Sequence, residues 1–147
     1  MRAPFDSAPR GIMAINNILF ATAAYFADWS ESHVLNPRWP PHAKFHNGQS
    51  MSFGALSALV AAYLLTRHNP TVEAAKDSLF IAAIVGSLTT VAGLSAIFYP
   101  GTAWADPEFD TGAVIGPQGY VFVGQLLINW FAYSWERGRL EKKGKSA

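Results

Sequence analysis

The chain has 147 residues, half of them hydrophobic and 14% aromatic, with only 14% charged and a formal net charge of +1. Soluble domains carry about 25% charged residues, so the shortage points to lipid, and the near-neutral balance excludes a nucleic-acid-binding domain, which would show a basic stripe. One domain is expected at this length, and the absence of cysteine excludes disulfides, thiolate metal sites and thiol nucleophiles, leaving oxygen and imidazole to carry any chemistry.

A bilayer core of about 30 Å needs roughly 20 mostly apolar residues in helical form, and four stretches qualify. The first is residues 11–28, GIMAINNILFATAAYFAD; Arg10 before it and Ala21, Thr22 and Ala23 within it give a signal peptide as an alternative. The second is residues 49–66, QSMSFGALSALVAAYLLT, and the third residues 78–99, SLFIAAIVGSLTTVAGLSAIFY. The fourth is residues 119–135, GYVFVGQLLINWFAYSW. Uninterrupted apolar runs without strand alternation favour helices over a barrel. The predicted fold is all-α: a polytopic membrane protein with a four-transmembrane-helix bundle in residues 1–136 and a basic cytosolic tail in residues 137–147.

Basic residues set the expected orientation. With four crossings, Arg2, Arg10, Arg67, Lys76, Arg137, Arg139, Lys142, Lys143 and Lys145 share one side, and only Arg38 and Lys44 fall on the other. Both termini are therefore expected in the cytosol, and the two long polar loops, residues 29–48 and 100–119, on the exoplasmic side. The expected location is the endoplasmic reticulum or a related membrane.

Helices in lipid associate through small residues and a few polar contacts. Gly54, Ala58 and Ala62 on the second helix, and Ala82, Gly86, Thr90 and Gly93 on the third, suit close approach. Asn16, Asn17, Gln125 and Asn129 lie inside apolar runs, where an unpaired amide costs several kcal/mol; interhelical hydrogen bonding is expected, with a polar pocket around Asn129 or Gln125 as the alternative. Trp29, Tyr99, Trp104, Tyr120, Trp130 and Trp135 lie near segment ends and suit interface belts.

Three of the four histidines fall within HVLNPRWPPHAKFHNGQ, residues 33–49. Proline is well placed at a helix start, so a helix beginning near Pro41 puts His42, His46 and Gln49 on one face. The positive end of that helix favours neutral imidazole, able to accept a proton. The expectation is that this pair faces inward toward acidic partners. In that scheme His42 and His46 move protons, Asp28 orients one of them, and His33 with Asp106 or Glu108 completes the site. Asn36, Trp39, Gln49 and Asn129 are candidate substrate-binding residues. Two histidines at this spacing also suit a metal, although no HExxH motif is present, and no metal or cofactor is assigned. A rigid turn capped by its own histidines is the remaining alternative.

DWSESHVLNPRWPPHAKFHNGQSMS, residues 28–52, resembles a pattern in small, mostly fungal, four-helix membrane proteins of unassigned function, with D, H, NPxW, PPHAxFH and Q in this order. In size and architecture the chain is also similar to the emopamil-binding and sterol isomerase group and to small membrane terpene cyclases. Those bundles use acids, histidine and aromatic walls to protonate an alkene or epoxide, although this chain lacks their acids within its apolar runs. The similarity implies acid–base isomerisation, cyclisation or hydrolytic opening of a lipophilic sterol-, terpenoid- or polyketide-like substrate. The rivals are a lipid-binding or accessory subunit that docks another protein or a second copy, and a histidine–metal membrane enzyme.

Overall fold

The computed structural model describes residues 7–145; Arg2 and the last two residues of the tail lie outside that range. Four helices follow in order: α1 (Ala8–Asp28), α2 (Pro41–Thr66), α3 (Val72–Ala96) and α4 (Pro117–Lys145). Each packs on its chain neighbours and α4 closes on α1, giving an up-down-up-down ring. One end gathers the start of α1, the connection 67–71 and the end of α4. The other gathers the two long loops, residues 29–40 and 97–116. These are called the termini end and the loop end below.

Every helix starts before its apolar window, and α3 stops short of its window's end. α2 begins at Pro41 rather than residue 49, α3 spans Val72–Ala96 rather than residues 78–99, and α4 continues to Lys145. An apolar window measures hydrocarbon thickness, whereas a helix ends where its backbone groups find other partners. α1 is capped by Ser7, whose side chain accepts from Arg10 N, and α3 by Thr71, whose side chain accepts from Ala74 N. α2 starts on proline, which lacks the amide hydrogen that position leaves unused. The basic segment expected as a loose tail is helical to Lys145, with Lys142, Lys143 and Lys145 in its last turn, where the macrodipole favours cations.

The bundle buries polar side chains beside small apolar ones and leaves large apolar side chains exposed. Its centre holds Asn17, Ser87, Thr90, Gln125 and Asn129, all buried, among Met13, Ala82, Ala83 and Ala132. Its perimeter carries Ile15, Leu19, Phe26, Leu56, Leu59, Tyr63, Val91, Leu127 and Phe131, all exposed. α2 and α3 are long and apolar enough to cross a membrane. α1 carries Asn16 and Asn17, and α4 carries Gln125, Asn129 and the charged residues after Trp135; Asn17, Gln125, Asn129 and Glu136 turn inward while the other charges after Trp135 are exposed, and together they lower the mean apolarity of the two helices.

The amides satisfy one another. Asn17 Nδ2 donates to Asn129 Oδ1 at 3.1 Å and to Met13 O at 2.8 Å. Gln125 Nε2 donates to Asn17 Oδ1 and to Gly86 O, and Thr90 Oγ1 donates to Gln125 Oε1. Asn129 Nδ2 donates to Ala83 O and Ser87 Oγ. Interhelical bonding, not a pocket, is therefore what Gln125 and Asn129 provide. Gly86 makes room for this knot, since a Cβ there would lie 2.3 Å from Asn17 Oδ1.

Two packing expectations change. The small face of α2 is Gly54, Ala58 and Ala61, with Ala62 only partly buried, because 3.6 residues per turn rotates a strict four-residue stripe away from the interface. Trp130 is no belt residue: its indole Nε1 donates to Ser87 Oγ at 3.1 Å.

Candidate functional site

The loop end is held by a clasp between the two long loops. Asn36 is buried, and its Oδ1 accepts from Arg38 N at 2.9 Å, which fixes the turn before the Pro-Pro pair. That turn aims Trp39 across the gap, where its Nε1 donates to Asp106 Oδ2 at 2.7 Å. Beside it Arg38 pairs with Glu108. Asp106 and Glu108 thus approach from the second long loop, but as partners of Trp39 and Arg38 rather than of His33.

Beneath the clasp, the end of α1 meets the start of α2. Asp28 Oδ2 accepts from Asn47 Nδ2 at 2.9 Å, and Asp28 Oδ1 lies 3.9 Å from His33 Nε2. The other nitrogen of His33 is 2.8 Å from Ser32 Oγ, and the ring meets the edge of Trp39 with centroids 5.3 Å apart. Asp28 therefore serves His33 and Asn47 and orients neither His42 nor His46. Two amide atoms here, Asn36 Nδ2 and Asn47 Oδ1, are buried without a hydrogen-bond partner.

His42 and His46 overturn the inward-facing expectation. Both are exposed, and their Nε2 atoms lie 3.0 Å apart. His46 Nδ1 is 3.0 Å from Gln49 Oε1, and His42 stacks on the exposed ring of Phe45. The same face of α2 continues through Phe53, Leu56, Val60 and Tyr63, all exposed, at alternating spacings of about three and four residues, the period of one helix face. Its inner face is Met51, Gly54, Ala58, Ala61 and Leu65. The rotation that buries those small residues turns the imidazoles to the perimeter. Among the described residues, no three or more His, Asp or Glu side chains are grouped to hold a metal ion.

A model described as a family of unknown function (DUF6640) matches residues 12–147. The chain belongs to that family. No curated protein and no solved structure matches it. The DUF6640 match contains the clasp, the histidine pair and the amide knot, whereas Arg10 precedes it.

Arg10 belongs to the pair that the sequence reading missed. Its Nε donates to Glu136 Oε1 at 2.9 Å and its Nη1 to Leu65 O at 3.3 Å, while Arg139 approaches Glu136 Oε2 at 3.7 Å. Glu136 is 4% exposed, so the helices do contain a buried carboxylate, at the termini end and away from the histidines. Its signal was helical phase: Gln125, Asn129, Ala132, Glu136 and Leu140 repeat at three- and four-residue intervals on one face, and all are buried.

Proposed function

We propose that the chain is a four-span protein of the endoplasmic reticulum or a related membrane, with cytosolic termini, acting as a non-catalytic accessory subunit whose exoplasmic end docks a partner in the same membrane. Four spans are supported by large apolar side chains outside on every helix and by the amides of α1 and α4 turned inside, an arrangement suited to lipid. Orientation is supported by the basic residues, since Arg10, Arg67, Lys76 and the Arg137–Lys145 cluster gather at the termini end.

The observation that carries the accessory reading is the outward turn of His42 and His46. A general acid or base must lie within about 3 Å of its substrate atom, and these rings face the perimeter with no carboxylate of the described residues paired to them. The open apolar groove between α3 and α4, about 460 Å³ and lined by Ile84, Ser87, Leu88, Val91, Ala92 and Trp130, contains no titratable side chain. The clasp instead stiffens a platform on which His42, Phe45 and His46 lead into a stripe of exposed apolar residues.

A photoreactive residue at Phe45, introduced in native membranes, is expected to give a discrete protein adduct that Trp39→Ala abolishes by loosening the clasp. One at Leu127, on the opposite perimeter, is expected to give lipid adducts. Lipid adducts alone at both positions would reject the reading.

A second reading keeps acid–base chemistry on a lipophilic sterol-, terpenoid- or polyketide-like substrate, and it is favoured by His33, whose imidazole has Asp28 and Ser32 on its two nitrogens. If it holds, purified protein isomerises or opens such a substrate, and His33→Ala stops turnover while helicity is retained. Turnover unchanged by that substitution counts against it.

A further inference from the structure

We propose that His42 and His46 form a binding site for one divalent first-row transition ion, with Cu2+ preferred. The site stands on the geometry of the pair and does not depend on what the platform docks.

The two Nε2 atoms lie 3.0 Å apart. Imidazole nitrogens bind such ions at about 2.0–2.1 Å, so an ion equidistant from both subtends an N–metal–N angle of about 94°. That angle matches adjacent positions of a tetragonal or octahedral ion and is narrower than a tetrahedral site requires, which favours Cu2+ or Ni2+ over Zn2+. The affinity order of divalent ions at nitrogen sites also peaks at Cu2+.

Gln49 prepares the pair. Its Oε1 only accepts, so its contact with His46 places a hydrogen on Nδ1 and leaves a lone pair on Nε2. A ligating histidine usually donates its other ring N–H to such an acceptor. His42 Nε2 then donates to His46 Nε2 in the metal-free protein. Binding needs a tautomer shift at His42, its proton moving from Nε2 to Nδ1 through solvent, and a turn of the exposed rings that aims both Nε2 lone pairs at the ion, with no change of net charge on either ring. Exposure of both rings leaves the remaining coordination positions to water. The positive end of α2 opposes the cation, so the site is exchangeable rather than a structural one.

The test uses untagged full-length protein in detergent micelles, titrated with CuCl2 and followed by visible absorption and electron paramagnetic resonance. Saturation at one ion per chain is expected, with hyperfine structure from two nitrogens. His42→Ala and His46→Ala should each weaken binding at least tenfold and remove one nitrogen coupling. Gln49→Ala should weaken it about tenfold, as loss of an outer partner does, and His33→Ala and His68→Ala should leave it unchanged. Circular dichroism confirms that each variant folds. Absence of saturable binding, or one-ion, two-nitrogen binding that survives His42→Ala, overturns the proposal.

Discussion

Asn129 shows how much one side chain carries. It is fully buried, donates to two elements of α3 and accepts from Asn17. Its replacement by alanine leaves Ser87 and Asn17 short of a partner each, at a cost of about 1–3 kcal/mol. Unfolding of Asn129→Ala in micelles is expected to show that loss, and an Asn17→Ala, Asn129→Ala cycle to show coupling of at least about 0.5 kcal/mol, as expected for residues in contact. Glycines give a sharper contrast. Gly86→Ala forces a methyl to 2.3 Å from Asn17 Oδ1, whereas at Gly124 nothing lies within 4 Å. The first is expected to destabilise by about 1–3 kcal/mol through overpacking; the second is expected to be neutral or to stabilise by up to about 1 kcal/mol, since alanine is the better helix former. Equal effects in the same unfolding assay would show that the approach of α1 to α3 is not tight.

At the scale of elements, the continuation of α4 beyond Trp135 decides the termini end. It carries Glu136 back onto Arg10 of α1, and it sets Gly144 near Val72 of α3. Arg10 is largely buried, its side chain 12% exposed. Glu136→Ala strands that cation and is expected to destabilise by about 3–5 kcal/mol, while replacing both partners by methionine is expected to cost much less, because the dehydration of two charges is avoided together. A double variant as unstable as the single one would mean that the pair itself, rather than the stranded charge, holds the helices. α2 offers the complementary lesson. Its Pro-Pro start and the four-residue spacing of His42 and His46 are readable from the sequence, and the rings do lie one turn apart. Their outward direction was not readable by hydrophobicity, because in α2 both the packed face and the perimeter face are apolar.

For the whole molecule, the proposed topology makes a prediction suited to a chain without cysteine. Single cysteines at Glu31, His68, Thr111 and Lys143 can be probed with an impermeant maleimide in sealed microsomes whose outer face is cytosolic. Four spans place residues 68 and 143 outside and residues 31 and 111 inside, labelled only after permeabilisation. If only α2 and α3 crossed, residue 143 would label with residues 31 and 111 instead. The clasp between the long loops belongs to this scale too, since Trp39 and Asp106 are far apart in the chain and meet only when α1 to α4 close the ring.

The sequence by itself determined four helices, their approximate limits and their greasy perimeter, because apolar content and helix-start residues act locally. It also placed Asp28, His33, Asn36, Trp39, Asp106 and Glu108 at one end of the bundle, and they do gather there. Only the tertiary structure decided which group each one meets. Asp28 holds Asn47, Trp39 holds Asp106, Glu136 is buried on Arg10, and the histidine pair faces outward. The reason is rotational: close packing of small residues such as Gly54, Ala58 and Gly86 fixes the turn of each helix about its axis, and that turn depends on the neighbouring helices, which no single stretch of sequence contains.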